Sequence, residues 1–160
     1  MTNKALIAMS GGVDSSVAAF LTKDMGYDAT GITLKLFDNE DIGEKREKTC
    51  CSLDDIDDAR RVCLKLGIPY YVYNFKDSFK ENVIDRFIRA YENGTTPNPC
   101  IDCNRFIKFE KLIRRAEELD FDCVVTGHYS TIEYDKGADR YLLKKSVDST
   151  NCLLYTSDAA

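Results

Sequence analysis

The sequence is short of several features that would assign its class at once. No apolar run approaches the roughly 18 residues of a membrane helix, and no charged-then-apolar leader opens the chain. Neither a membrane span nor a signal peptide is therefore expected, and the location expected is cytoplasmic. Positive charge is not in excess: 22 lysines and arginines stand against 27 acidic residues, a net charge of −5. That balance argues against a surface built throughout for nucleic acid, whose binding rests on neutralising phosphates. There is one histidine, His128, and a single strand-end histidine serves as readily in structure as in chemistry. Internal repeats and low-complexity tracts are absent, so repeat architectures are excluded.

What remains is an ordinary globular composition: 160 residues, 44% hydrophobic and 31% charged, enough for one domain with one core. Segments at 4–9, 28–36, 70–74 and 121–126 read as strands. Between them, helical patterns occupy 14–25, the stretch up to Leu66, 77–92 and 104–119. Gly26 and Gly67 follow two of these patterns as stops, and Ser52-Leu53-Asp54-Asp55 reads as a capping box. Residues 38–51 form a charged loop, and 131–134 with 140–144 read as a hairpin. Alternation of strand and helix predicts an α/β fold, a Rossmann-like parallel sheet with helices on both faces. Asp54, Asp55, Asp57 and Asp58 are expected to complement the dipole of their helix rather than to bind metal.

The first strand runs into Ser10-Gly11-Gly12-Val13-Asp14-Ser15-Ser16 and then a helix whose segment from Val17 to Met25 is amphipathic. Adjacent glycines let the backbone turn its N–H groups toward an anion, and the helix start adds free donors and a positive dipole end. Ser15 and Ser16 can add hydroxyl hydrogen bonds. The lysine of a P-loop is missing, and so is the spacing of a dinucleotide fingerprint. In a parallel sheet the ligand lies beyond the carboxyl ends of the strands. That places this loop beside residues 34–37 and Thr126-Gly127-His128-Tyr129.

Seven cysteines occur, and a cytosolic chain does not use them as a disulfide framework. Cys63 and Cys123 fall in apolar patterns and are expected in the core. Cys50, Cys51, Cys100 and Cys103 fall in predicted loops, where reactivity or metal binding explains them better. In Thr95-Thr96-Pro97-Asn98-Pro99-Cys100-Ile101-Asp102-Cys103-Asn104 the prolines stiffen the path. With Asn104 as a helix cap, Cys103 stands just before a helix N-terminus beside Arg105 and Lys108, which favours its thiolate. As a bare Cys-x-x-Cys pair the site could instead be half of a zinc or iron–sulfur centre. Arg105, Lys108, Lys111, Arg114 and Arg115 follow at helical spacing and form one basic face.

The Ser10–Ser16 string resembles the pyrophosphate loop of the N-type ATP pyrophosphatases. Taken with Cys50-Cys51-Ser52-Leu53-Asp54-Asp55, Thr-Pro-Asn-Pro-Cys-Ile-Asp-Cys-Asn at 96–104, Ile107-Lys108-Phe109 and Thr126-Gly127-His128-Tyr129, it is similar to the bacterial tRNA-specific 2-thiouridylases over residues 4–148. The resemblance implies a tRNA sulfurtransferase. ATP with Mg2+ adenylylates the C2 oxygen of the wobble uridine, and a persulfide sulfur then displaces AMP. By position, Ala8, Met9, Ser10, Gly11, Gly12, Val13, Asp14, Ser15, Leu34 and Gly127 match the ATP-binding residues. Asn98, Pro99 and Cys100 match the contact to the target base, and Cys103 matches the first catalytic cysteine. The implied partners are tRNA, not DNA, and a sulfur-relay protein or cysteine desulfurase.

Two departures stand out. Many members of that family have aspartate where this chain has Cys100; with Cys103 and Cys50, Cys100 could instead hold a 4Fe-4S cluster. The family's persulfide cysteine and its Lys-Asp-Gln segment lie past residue 151. Residues 152–160, Cys-Leu-Leu-Tyr-Thr-Ser-Asp-Ala-Ala, resemble a translated sequencing adapter. The domain is therefore expected to occupy 1–151, to be truncated, to carry a non-native tail at 152–160, and to be inactive in thiolation. The alternatives are another ATP pyrophosphatase, similar to argininosuccinate or GMP synthetase, and a non-catalytic nucleotide-binding module with a structural metal.

Overall fold

A computed structural model of the chain describes residues 2–37 and 53–147. The charged loop at 38–51, with Cys50 and Cys51, and the tail at 152–160 lie outside the described residues, as does Ser52 of the capping box.

Four strands form one parallel sheet: β1 (Lys4–Ala8), β2 (Asp28–Lys35), β3 (Tyr70–Asn74) and β4 (Cys123–Val125), in the order β3-β2-β1-β4. Ala5 pairs with Ala29 on one side and Cys123 on the other. Every residue of β2 from Ala29 to Leu34 is buried, because a strand inside a parallel sheet is covered on both faces. Strand order reverses at β1, so the ligand crevice of such a sheet falls where β1 and β4 end. A separate antiparallel hairpin, β5 (Thr131–Asp135) with β6 (Arg140–Lys144), runs from the pair Thr131–Lys144 to Asp135–Arg140.

On one face lie α1 (Val13–Asp24) and α2 (Leu53–Leu66). Their Ala19, Ala59 and Cys63 pack on Ile7, Met9 and Ala29. On the other, Val83, Ile107, Leu112 and Ala116 pack on Leu6, Ile32 and Leu34. The alternation of Leu6 and Ile7 along β1 feeds these two cores. That second layer is two long helices. The first, α3 (76–92), runs through Lys76–Phe79, a π-helical Lys80–Ile84 and Asp85–Glu92. The second, α4 (99–118), runs through Pro99–Asp102, a π-helical Cys103–Lys111 and Leu112–Glu118.

Cys63 is fully buried, as expected, but Cys123 is not in either core. It opens β4, an edge strand, and stays half-exposed. The start of α4 also differs from expectation. Asn98, not Asn104, is the cap: its Oδ1 accepts from the Cys100 amide at 3.0 Å. Pro99 then fits the first helical position, where its missing N–H costs nothing. Asn104 is 2% exposed inside the helix. On α2, Asp57 and Asp58 pair with Arg60 and Arg61, each at 3.1 Å, so these carboxylates serve their own helix.

Candidate active site at the switch in strand order

The exit from β1 is held on both sides. The Met9 amide donates to the Ile32 carbonyl at 2.7 Å, and Thr33 Oγ1 donates to the Met9 carbonyl at 3.0 Å. Tyr70 fastens the same point from β3, donating to Thr33 Oγ1 at 2.7 Å. The turn that follows needs glycine at one position only. Gly11 has φ +76°, and a Cβ there would lie 2.7 Å from the Asp55 carbonyl oxygen. Gly12 has an ordinary φ of −80°, and a Cβ on it would meet only Ser10 Oγ at 3.5 Å. It is the N-cap residue of α1 and supplies no side-chain cap. Gly12 and Val13 are exposed, so an anion can reach the helix terminus, where unpaired N–H groups and the dipole favour it. The loop therefore fits a phosphate.

The two serines behave differently from donors waiting for a ligand. Ser15 is 3% exposed; its Oγ donates to the Gly12 carbonyl at 3.1 Å and accepts from the Ser10 amide at 3.2 Å. Ser16 Oγ donates to the same carbonyl at 2.8 Å. Both hydroxyls brace the turn, which leaves the main chain as its anion-binding surface. Met9 and Leu34 are buried and Ala8 half-buried, so these three support the crevice from the core.

The second wall follows β4. Gly127 crosses the first turn of α1 at backbone contact: a Cβ on it would lie 2.7 Å from the Ser15 nitrogen and 3.0 Å from the Asp14 carbonyl carbon. Two residues on, the Tyr129 hydroxyl donates to Asp14 Oδ1. Sequence reasoning placed Tyr129 in a motif without giving it a partner; a tyrosine two residues after a strand-end glycine was the available signal. His128 shares a hydrogen bond between Nδ1 and Thr126 Oγ1 at 3.0 Å, and its ring centre is 6.0 Å from that of Phe109. Burial, with Lys108 nearby, pushes its pKa down to about 4. The imidazole is neutral at physiological pH.

Cys100 is exposed on the first turn of α4, and Cys103 is half-buried against the core. The thiol of Cys103 thus sits within a helix, not before one, and the expected help from a helix N-terminus does not apply there, since that effect fades past the first turn. Asp102 is held by Arg86 at 3.3 Å. Arg86 and Arg105 both lie over the Phe106 ring, at 4.8 and 5.3 Å from its centre.

Within the basic run, the charge of Lys108 acts on His128, while Lys111, Arg114 and Arg115 line a cavity of about 460 Å³ beside Tyr73 and Phe75 at the end of β3. Lys108 and Lys111 belong to the π-helical stretch, whose i→i+5 bonding changes the angular spacing from that of an α-helix. Among the described residues no group of three or more His, Cys, Asp or Glu side chains could hold a metal ion. Cys50, the third sulfur of the expected cluster, lies outside them.

Comparison with known proteins agrees with this architecture. A family model described as the tRNA methyl transferase HUP domain matches residues 3–155. The tRNA-specific 2-thiouridylase MnmA of Clostridium beijerinckii is 56% identical over 148 residues, which is 92% of this chain and 41% of that protein. The protein of the same name from Clostridioides difficile is 56% identical over 147 residues, 92% of this chain and 40% of its own length. The chain thus spans about two fifths of the length of these relatives. In fold it is similar to a predicted subunit of tRNA methyltransferase from Methanocaldococcus jannaschii, with a TM-score of 0.50 at 18% identity, covering 85% of this chain and 56% of that one. The NH3-dependent NAD synthetase of Campylobacter jejuni gives a TM-score of 0.52 at 18% identity, covering 77% and 46%. Because the family model spans the whole sheet and both walls of the crevice, the chain belongs to the tRNA methyl transferase HUP domain family.

Proposed function

We propose that this chain is the nucleotide-binding part of a tRNA sulfurtransferase that converts wobble uridine to 2-thiouridine, with Cys103 as a catalytic thiol. The reading is supported by the 56% identity to proteins named tRNA-specific 2-thiouridylase. The structural observation that carries it is the reach of α4. This one helix bears Cys103 near its start and sets Phe109 against His128, in the loop that rests on the phosphate loop.

Bound ATP with Mg2+ supplies an adenylyl group that turns the C2 oxygen of uridine into a leaving group. The chain's own residues hold the nucleotide and place the base. Main-chain N–H groups of Gly11 to Asp14 and the α1 terminus hold phosphate oxygens, and Gly127 and Tyr129 fix that terminus in place. Neutral His128 adds no charge to the site. Asn98, Pro99 and Cys100, at the outer end of α4, meet the target base. A sulfur nucleophile forms the new bond to C2 as the C2–O bond breaks and AMP departs with the electron pair. That nucleophile is the terminal sulfur of a persulfide on the family's second cysteine, past residue 151, loaded by a relay protein or cysteine desulfurase. The Cys103 thiolate then attacks the carrier sulfur, the S–S bond breaks to free 2-thiouridine, and an external thiol reduces the resulting disulfide. The alternative, a 4Fe-4S cluster, would take Cys100 and Cys103 together with Cys50, which lies outside the described residues. Cytoplasmic residence goes with the proposed function; no described helix is long and apolar enough to cross a membrane.

The test uses residues 1–151 joined to the remaining part of the Clostridium beijerinckii relative. Cys103→Ala should abolish 2-thiouridine in nucleoside mass spectrometry while calorimetry shows ATP binding intact. Thiolation at the parental rate would remove Cys103 from the chemistry. Iron and acid-labile sulfide in the anaerobically purified chimera would replace the persulfide route with the cluster.

A further inference from the structure

The first helix is amphipathic in the reverse sense. Val17, Phe20 and Leu21 recur at the spacing that puts side chains on one helical face. Yet they are 48%, 54% and 50% exposed. The residues that α1 buries against the sheet are Ser15, Ala19 and Thr22, with the Thr22 hydroxyl donating back to the Ala18 carbonyl at 2.7 Å. Its inner side is small, which lets the helix lie close to β1 and β2, and its outer side is large and apolar. On α3, by contrast, a large apolar side chain does face the sheet: Val83 is buried in the core, although Ile84 and Ile88 are exposed. A helix with its apolar side turned outward is the middle of a sandwich.

We propose that the outer face of α1 is the seat of the further polypeptide that the 2-thiouridylase relatives carry. The matched 148 residues are 41% of the Clostridium beijerinckii protein, so those relatives hold more chain outside this domain than within it. On this side of the sheet the described residues supply only α1 and α2, and β4, beyond α1, is an unpaired edge. An apolar stripe of this kind on a soluble domain marks an interaction surface, and its chemistry fits another apolar helix or strand face rather than an anion or a nucleic acid. The inference rests on the fold and the length of the relatives, not on the thiolation reading.

Hydroxyl-radical footprinting read by mass spectrometry tests it, comparing the 160-residue chain with the chimera described above. Phe20 and Leu21 should oxidise several-fold more slowly in the chimera, while Leu64, 79% exposed on α2, oxidises at the same rate in both. Equal rates at Phe20 would overturn the proposal. So would protection of Phe20 already present in the 160-residue chain together with a dimer in sedimentation, which would assign the face to a second copy. If circular dichroism shows the chimera unfolded, the corresponding helix of the full-length Clostridium beijerinckii protein is footprinted instead, and rapid oxidation of its outer face overturns the proposal. Thiolation activity does not enter either readout, so the two readings fail separately.

Discussion

Gly127 rests on the first turn of α1 so closely that a Cβ would stand 2.7 Å from the Ser15 amide nitrogen. The strands that deliver these residues are partners in the sheet, with Ile7 opposite Val125. Their carboxyl ends therefore meet, and the crevice is closed by main chain against main chain. No side chain could substitute for that contact, because any Cβ displaces one of the two loops.

Gly127→Ala should accordingly destabilise the protein by about 1–3 kcal/mol, the usual range for forcing an extra carbon into a packed site. Gly12 is the control. Its Cβ would meet only Ser10 Oγ at 3.5 Å, and its φ of −80° suits any residue. Gly12→Ala should stay within about 0.5 kcal/mol of the parent. Chemical denaturation measures both. Gly12→Val should keep the fold but crowd the anion site, and calorimetry should show weaker ATP binding; unchanged affinity in this variant and in Asp14→Ala would take nucleotide binding away from the loop.

The pH dependence of stability should carry the signature of His128. Its pKa falls from 6.5 to about 4 on folding, through burial first and Lys108 second. Between those values the unfolded chain binds more protons at this position than the folded one, so stability rises with pH. The contribution is constant above about pH 6.5 and is lost progressively as pH falls toward 4. An NMR titration of the single imidazole reads the folded value directly. A midpoint at or above 6.5 would show a solvated, chargeable histidine.

Thiol reactivity should separate the cysteines of the described residues. Burial pushes Cys63 up to about 11, and its sulfur is enclosed beside Gly31, where a Cβ would come within 2.5 Å of it. Thiolates, not thiols, react with alkylating agents. Brief iodoacetamide treatment at pH 8 should label exposed Cys100 and leave Cys63 unmodified until the protein unfolds. Peptide mapping that finds Cys63 labelled in the native protein would contradict the packing of α2 on β2.

Much of this was legible in the sequence, for identifiable reasons. The absence of charge from Ala29 to Leu34 in β2 suits a strand covered on both sides, and Gly26 and Gly67 end their helices with φ values of +86° and +64°. What was not legible came from choices that local pattern leaves open. Asn98 and Asn104 can each cap a helix; Pro99, suited to the first helical position, fits the earlier start. Periodicity marks the stripe Val17–Phe20–Leu21 without saying which side of α1 faces the sheet. Local pattern also does not announce that Cys103–Lys111 is π-helical, which changes the angular spacing of the basic run.

The surroundings of each basic residue decide what charge reversal should do. Arg115 is held by Glu118 at 2.8 Å and lies over the Tyr73 ring, so its charge is partly spent within the fold. Arg105 and Arg114 are exposed. If they meet tRNA phosphates, Arg105→Glu with Arg114→Glu should weaken tRNA binding by the chimera and lower the salt slope by about 2, one unit for each lost phosphate contact. Filter binding across a salt series measures this. A slope equal to the parent's would leave both side chains as solvated surface.

Asn98 allows structure and recognition to be tested at one position. Its side chain accepts from the Cys100 amide at 3.0 Å and caps the helix that carries both cysteines. Asn98→Ala removes that acceptor and should cost about 1 kcal/mol, the typical value of a lost N-cap. Asn98→Asp keeps an acceptor of the same shape at a helix N-terminus and should restore most of it. The two substitutions part company over the target base. Aspartate accepts hydrogen bonds but cannot donate, whereas the asparagine amide does both. If Asn98 acts only as a cap, Asn98→Asp in the chimera should thiolate at the parental rate. If its amide also donates to the base, that variant should melt like the parent and lose most of its thiolation. Thermal denaturation and nucleoside mass spectrometry on the same samples decide between them. Activity that tracks stability through both variants would remove Asn98 from base recognition and leave it as the cap that positions Cys100 and Cys103.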